Sequence, residues 1–277
     1  MRDHGASLGL SLDLTLKQYG GRGLDPLVSA FKAESGATDT SGLNALIKYV
    51  RGEGLINNFV IYPMKSAQNA GSGSTVYGLG GLTALDATLV NSPTWGATGI
   101  TFNGTTQYGM LTDFLATETL TVFQRMASSY AAADNLDTLL SQWDTGANDR
   151  SWSMEWNGAG GGSLLLNRSL DGGAVNFESY STPKANFDNL DVCAVAQWID
   201  GGTRACWSNK VSESLSLEAG SAQTARKNSA AKIGIMCGFT SGTAQRYAPG
   251  LVKSSAFLTG TVTTTQRETI TDFINAL

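Results

Sequence analysis

The sequence predicts an all-β protein built as a sandwich or barrel, and three observations predict it. Of the 277 residues 42% are hydrophobic, only 15% are charged and 33 are glycine. That composition lacks the Glu, Lys and Arg that long helices need on their wet faces. Short apolar runs recur from residue 87 onward, each bounded by Gly, Asn, Asp or Ser. Several of them alternate with a period of two: in Ser151–Trp156 the residues Trp152, Met154 and Trp156 share one face, and Ser151, Ser153 and Glu155 the other.

The elements follow in chain order. Leu8, Leu10, Leu12, Leu14 and Leu16 alternate with small or polar residues, which suggests an extended arm over residues 1–41, packed either on a neighbour or on its own domain. Asp25-Pro26 starts a short helical turn with Leu27, Val28 and Phe31 on one side. Ser41–Arg51 reads as a helix, because Leu43, Leu46, Ile47 and Val50 fall at i, i+3, i+4 and i+7, and Gly52 and Gly54 end it. Leu55–Met64 is apolar and Pro63 closes it, as at an edge strand or an entry segment. Residues 67–81, rich in Gly, Ser and Asn, form a loop without the Lys-Ser/Thr of a phosphate loop.

Ala87–Ser92 is a short strand, and Ile100–Asn103 leads into Asn103-Gly104, the pair that a two-residue hairpin turn favours. Further strands are expected at Glu118–Met126, Thr138–Trp143, Ser151–Trp156, Ser163–Asn167, Ala174–Tyr180, Asp191–Ile199, Thr203–Ser208, Ala231–Met236 and Val252–Leu258. A closing helix carries Ile270, Phe273, Ile274 and Leu277 on one stripe, with Thr265 and Glu268 as a T-x-x-E capping box. Both short helices have one greasy face and should lie against the β domain. The chain therefore divides into residues 1–64, an arm and helix suited to attachment, and residues 65–277, the β domain with its C-terminal helix.

Bulk chemistry excludes several functions. The net charge is −4 and no Lys/Arg cluster exists, so nucleic-acid binding is not expected. The single histidine, His4, lies in the N-terminal arm, which disfavours His-dependent triads and His-rich metal sites. Cys193, Cys206 and Cys237 sit in apolar runs without CxxC spacing. They read as buried free thiols, with one Cys193–Cys206 bridge across a hairpin left open. No run of 18 apolar residues exists, so no membrane insertion is expected. Asp13 interrupts the only stretch that resembles a signal-peptide core.

The order of pieces carries a resemblance. A Phe-Asn-Gly strand (Phe102–Tyr108), the strand opening Thr119–Phe123, Leu139–Ser141, the Trp-bearing Trp152–Trp156 and Val192–Ile199 come before Ala205-Cys206-Trp207-Ser208-Asn209. Lys232-Ile233-Gly234-Ile235 and Phe257-Leu258 ahead of a short helix complete the set. Over about Thr94–Leu277 this resembles the laminin-G-like, concanavalin A-like jelly-roll family, which implies two curved antiparallel sheets. The block Tyr62–Gly81 also resembles structural proteins of tailed bacteriophages that carry such a jelly roll.

The resemblance implies candidate sites. Glycoside hydrolases among the relatives place paired acids as E-x-D-x-x-E on one strand, a motif missing here; Glu155 is the nearest acid on a suitable strand. No enzyme activity and no resident cofactor are expected. Laminin-G domains often hold Ca²⁺ at the sandwich rim, and Asp144, Asn148 and Asp149 form the corresponding oxygen cluster, against the reading of a solvated turn. Trp143, Trp152, Trp156, Trp198 and Trp207 could supply a sugar-stacking platform, with Trp152, Trp156 and Trp207 as the leading candidates, against the reading that they fill the sandwich core.

The expected function is a non-enzymatic virion surface protein, a head decoration or a tail or fibre component, assembled in the host cytoplasm. Its partners would be other virion proteins through the N-terminal region, further copies of itself as a trimer, and a host surface glycan. The alternative is a carbohydrate-binding lectin module outside a virion, with a glycoside hydrolase as the remoter choice.

Overall fold

Alternating and continuously apolar runs pair into two sheets, and a layer of helices covers one of them. The computed structural model describes residues 23–82, 86–112, 119–128, 136–157, 163–188 and 190–277. The expected arm strand Leu8–Leu16 and His4 lie outside these residues. Three α-helices are described: α1 (Pro26–Ser35), α2 (Ser41–Gly52) and α3 (Thr264–Ala276). The strands of the first half are β1 (Phe59–Pro63), β2 (Thr75–Val76), β3 (Leu79–Gly80), β4 (Ala87–Val90), β5 (Thr94–Trp95), β6 (Ile100–Asn103), β7 (Tyr108–Leu111), β8 (Leu120–Ser128) and β9 (Leu136–Asp144). There follow β10 (Asp149–Asn157), β11 (Ser163–Ser169), β12 (Phe177–Pro183), β13 (Val192–Trp198), β14 (Arg204–Ser208) and β15 (Val211–Ser212). The last are β16 (Ser216–Gly220), β17 (Ile233–Ile235), β18 (Gly238–Thr240), β19 (Thr243–Gln245) and β20 (Pro249–Thr259).

The nine-stranded sheet runs β15-β14-β13-β8-β20-β1-β3, with β6 on the far end of β20 and β5 beside β6. The eleven-stranded sheet runs β16-β12-β11-β10-β9-β17-β7-β4-β2, with the β18–β19 hairpin folded beside β9. This is the two-sheet antiparallel jelly-roll sandwich that the sequence predicts.

Two apolar cores follow from the burial pattern. Trp152, Met154 and Trp156 of β10 meet Val122, Trp198 and Phe257 of the opposite sheet between the two sheets. On its other face the nine-stranded sheet presents Phe59, Ile61, Phe123, Val195 and Leu258 to the helices, where Val28, Leu46, Ile47, Phe273 and Ile274 cover them. Both faces of β1 and β13 are thus covered, and both strands are buried along their length. That is why their sequences, Phe-Val-Ile-Tyr-Pro and Val-Cys-Ala-Val-Ala, are continuously apolar rather than alternating.

The helix layer departs from expectation in three ways. Asp25 is the N-cap of α1 and accepts from the Leu27 N–H at 3.0 Å, so the short turn becomes a ten-residue helix. The same carboxylate takes a two-pronged ion pair from Arg51 of α2, at 2.7 and 2.9 Å. The cap of α3 is Thr263 with Gln266, not Thr265 with Glu268, because Thr263 is the residue with extended backbone at the helix start. Residues 26–63 lie inside the fold: both N-terminal helices share the core of α3, and β1 pairs with β20 from Phe59 to Pro63.

The Asn103-Gly104 turn closes no hairpin. β6 pairs with β5 and β20 in one sheet, whereas β7 pairs with β4 and β17 in the other. The turn is a corner between the sheets. The Asn103 side-chain oxygen accepts from the N–H groups of Thr105, Thr106 and Gln107, and Gly104 takes φ +71° against Pro249. The cysteines are free and buried. Cys193 faces the helices and Cys206 faces the inter-sheet core, so opposite directions exclude the bridge left open above.

A buried charge cluster joins the sheets at one end. Arg168 of β11 pairs with Glu178 of β12 at 2.9 Å, and both side chains are essentially inaccessible. Arg168 also donates to the carbonyls of Ile199 (3.2 Å) and Gly202 (3.4 Å) in the β13–β14 turn, and to that of Gln223. Every such contact offsets part of the desolvation of a buried guanidinium.

Candidate functional site

The nine-stranded sheet is covered on both faces, which leaves the outer face of the eleven-stranded sheet as the sheet surface open to a ligand. Since Trp152, Met154 and Trp156 point inward, Ser153, Glu155 and Asn157 point outward. Leu165 and Asn167 on β11, and Phe177 and Ser179 on β12, do the same. Glu155, Asn157, Leu165, Asn167, Phe177 and Ser179 floor a groove of about 540 Å³.

One wall comes from the segment after β19. Arg246 adopts φ +55°, an uncommon conformation for a residue with a Cβ. The Thr138 N–H holds it there by donating to its carbonyl at 2.8 Å, while Tyr247 bridges to Thr138. The result aims Arg246 at Glu155, with Nη1 3.5 Å from Oε2. Glu155 is buried, and burial pushes its carboxyl above the ordinary glutamate value; the Arg246 charge and the hydroxyls of Ser153 and Thr138 oppose that rise.

The end wall is built by two loops. Arg150, at the start of β10, lies over the Trp143 ring with its guanidinium carbon 5.9 Å from the centroid. It donates to the carbonyls of Gly172 (3.3 Å) and Thr145 (3.2 Å). Burial, then the charge of Arg246, hold the Arg150 guanidinium below its usual value. Gly172 has φ +83°, and a Cβ there would collide with the Asn148 carbonyl oxygen, so this approach requires glycine. Asp171 fixes the same loop by accepting from the Gly173 N–H (2.8 Å) and the Asn176 amide (2.7 Å). The opposite wall is β16, with Glu218 and Ala219.

Of the residues singled out from sequence, Glu155 and Trp143 line the groove, and the leading stacking candidates lie elsewhere. Trp152 and Trp156 are fully buried in the inter-sheet core: Trp152 packs on Trp198 and Phe257 with centroids at 5.4 and 6.2 Å, and Trp156 on Phe187 at 6.5 Å. Trp207 lies under Arg267 of α3, 3.8 Å from the guanidinium carbon to the ring centroid, on the helix side of the molecule. None of the three lines the groove: the stacking reading fails for them and the core-filling one holds, through inward alternation for Trp152 and Trp156 and through the helix layer for Trp207. Among the described residues the aromatics at the groove are Trp143 and Phe177.

The cation candidates are also committed. Asp144 is buried and accepts from four backbone N–H groups, of Gly146 (3.1 Å), Ala147 (3.2 Å), Ser241 (2.7 Å) and Gly242 (2.6 Å). Asp149 pairs with Lys227 at 2.9 Å, and the Asn148 carbonyl accepts from the same ammonium at 3.2 Å. Asp144 thus ties the β9–β10 loop to the β18–β19 hairpin. Among the described residues no group of three or more His, Cys, Asp or Glu side chains could hold a metal ion.

Glu155 was visible in the sequence as a lone acid. Arg150 and Arg246 were not singled out, because neither belongs to a motif and Arg246 lies outside any periodic run. Among the described residues Glu218 is the other groove-lining acid. It stands on a strand three places from β10, about 14 Å at the usual strand spacing, and accepts from Ser181 on β12.

No family model and no curated protein matches the sequence. Solved structures share the fold. The botulinum neurotoxin serotype D binding domain is 7% identical with a TM-score of 0.56, covering 79% of this chain and 51% of that one. The serotype D ligand binding domain in complex with N-acetylneuraminic acid is 5% identical with a TM-score of 0.55, covering 79% of this chain and 52% of that one. A mutant of Trypanosoma rangeli sialidase displaying trans-sialidase activity is 14% identical with a TM-score of 0.51, covering 96% of this chain and 39% of that one. The chain spans about half the length of the first two and less of the third. At these identities the likeness is one of fold.

Proposed function

We propose that this chain is a non-catalytic glycan-binding jelly roll whose sugar site is the groove on the outer face of the eleven-stranded sheet, and that it serves on the surface of a bacteriophage particle. The observation that carries the sugar reading is the groove's lining. Trp143, Phe177 and Leu165 offer apolar surface for the C–H faces of a pyranose ring. Asn157, Asn167, Ser179 and Glu155 offer convergent donors and acceptors for its hydroxyls. Neighbours of the same fold include a domain in complex with N-acetylneuraminic acid.

The virion setting is supported by the sequence resemblance of Tyr62–Gly81 and by three free thiols, which suit assembly in the host cytoplasm. In that setting the N-terminal region contacts neighbouring virion proteins and the copies form a trimer. A hydrolase reading draws on Glu155, whose raised carboxyl resembles a general acid. Glycoside hydrolysis takes a second carboxylate within about 5–9.5 Å, and the spacing of Glu218 does not suit that.

The test is a glycan array with the purified chain and with N167A and F177A. Binding that both substitutions weaken, with melting temperature retained, is expected. Binding indifferent to both would move the sugar site elsewhere. Native mass spectrometry would test the trimer, and a monomer at all concentrations would count against it.

A further inference from the structure

Two arginines enter the groove from different elements, Arg246 from the segment after β19 and Arg150 from the start of β10. They are close enough for the charge of Arg246 to act on Arg150. Like charges directed into one partly desolvated groove repel, and the arrangement is relieved by an anion between them. The described acids around them do not fill that role. Asp144, beside Arg150, is held by four backbone N–H groups, and Asp171 by Gly173 and Asn176. Glu218, on the far wall, is bonded to Ser181. Glu155 reaches one nitrogen of Arg246 at 3.5 Å, the limit of a hydrogen bond, and its burial favours the neutral form.

Among the described residues the Nε and Nη2 atoms of Arg246 make no hydrogen bond, so no described group takes that edge of its planar fork. A two-oxygen acid group matches such an edge. Arg150 has both Nη atoms on loop carbonyls, which fixes it beside the Trp143 ring as a second positive charge.

We infer that the groove selects glycans that carry an acid group, a carboxylate or a sulfate ester, received by the Nε–Nη2 edge of Arg246 with Arg150 alongside. The inference rests on the sugar-site reading above and names the ligand class for it.

The experiment compares sugars that differ only in the acid: lactose against 3′-sialyllactose for a carboxylate, and galactose against galactose 6-sulfate for a sulfate. Calorimetry with wild type, R246A, R246K and R150A at physiological salt reads the affinities. At least one acidic member is expected to bind about tenfold more tightly than its neutral partner, a preference that R246A abolishes and R246K keeps in part. The member that shows the preference identifies carboxylate or sulfate. Equal affinity for acidic and neutral members, or an equal loss of both in R246A, would overturn the inference while leaving the sugar site standing. Should no sugar bind, the sugar reading fails, and titrating acetate and sulfate against the arginine Nε–H signals decides the anion question by itself. Saturable shifts at Arg246 and Arg150 would support the paired anion site, and none would overturn it. Should R246A fail to fold, R246K and R150K carry the comparison.

Discussion

Replacing Trp152 by phenylalanine and by alanine separates a core role from a ligand role. The indole is fully buried, and its Nε1–H has no hydrogen-bond partner among the described residues. Alanine removes the whole ring and its contacts with Trp198 and Phe257. The expected cost is about 3–5 kcal/mol, the range for an aromatic-to-alanine change in a packed core. Phenylalanine keeps most of the apolar volume. The ring is smaller by roughly 40 Å³, which leaves about 1 kcal/mol of cavity. It also removes an unpaired N–H whose burial costs about 1–3 kcal/mol. W152F should therefore lie within about 1 kcal/mol of wild type, and W152A several kcal/mol below both. Urea denaturation followed by fluorescence of the other tryptophans measures the difference, and sugar binding is read on the same samples. A W152F loss of 3 kcal/mol or more would show the indole N–H to be satisfied, against the reasoning. Lost binding at full stability would return Trp152 to the ligand.

Three further outcomes are expected. Asp25 caps α1 and pairs with Arg51, whose guanidinium, first among the causes, holds the carboxyl below its usual value. Because the folded value is depressed, this stabilisation is present above the unfolded value and is lost as pH falls through the folded one. D25A should cost about 1–2 kcal/mol at neutral pH, mostly the cap, since Arg51 is 45% exposed and its pair is screened. D25N should flatten the acid limb of a plot of melting temperature against pH; an unchanged limb would refute the assignment. Glu155 has the opposite sign: its raised carboxyl supports the fold below the unfolded value, and that support fades as pH rises through the folded one. The stability of E155Q relative to wild type should therefore grow as pH rises, and calorimetric melts that stay parallel would contradict this. Burial pushes the Cys193 thiol up to about 12 and raises Cys206 and Cys237 as well. All three should resist a thiol reagent until urea unfolds the chain, and fast labelling of the native protein would count against their burial.

Much of the fold was legible because period-two patterning and turn residues are local signals. β8 to β14 lie within a few residues of the runs expected from sequence. The Asn103-Gly104 corner was misread because turn chemistry fixes a change of direction but not the partner of the next strand. β16 was missed because every residue of Ser216–Gly220 is exposed and its pairing depends on β12, not on its own pattern. The site was less legible. Alternation put Trp152 and Trp156 on one face and Ser153 and Glu155 on the other, but a pattern cannot say which face is inside when the outer one is lined by buried polar groups. Arg246 acquires its position from a positive φ and a contact with Thr138, more than a hundred residues away in the chain.

The helix layer gives the molecule a front and a back. The Gly23 carbonyl accepts from Asn44 and Lys48 of α2, so residue 23 is held on the helix side. The groove opens beyond both sheets, roughly 20 Å away at ordinary layer spacings. An anchor attached at residue 23 and a ligand in the groove would occupy opposite sides without competing for surface. Tension between them would cross the layers face to face, loading the inter-sheet core around Trp152 and the Arg168–Glu178 cluster rather than peeling single strands from an edge. In this geometry those buried contacts would set the mechanical strength of any adhesion through the groove.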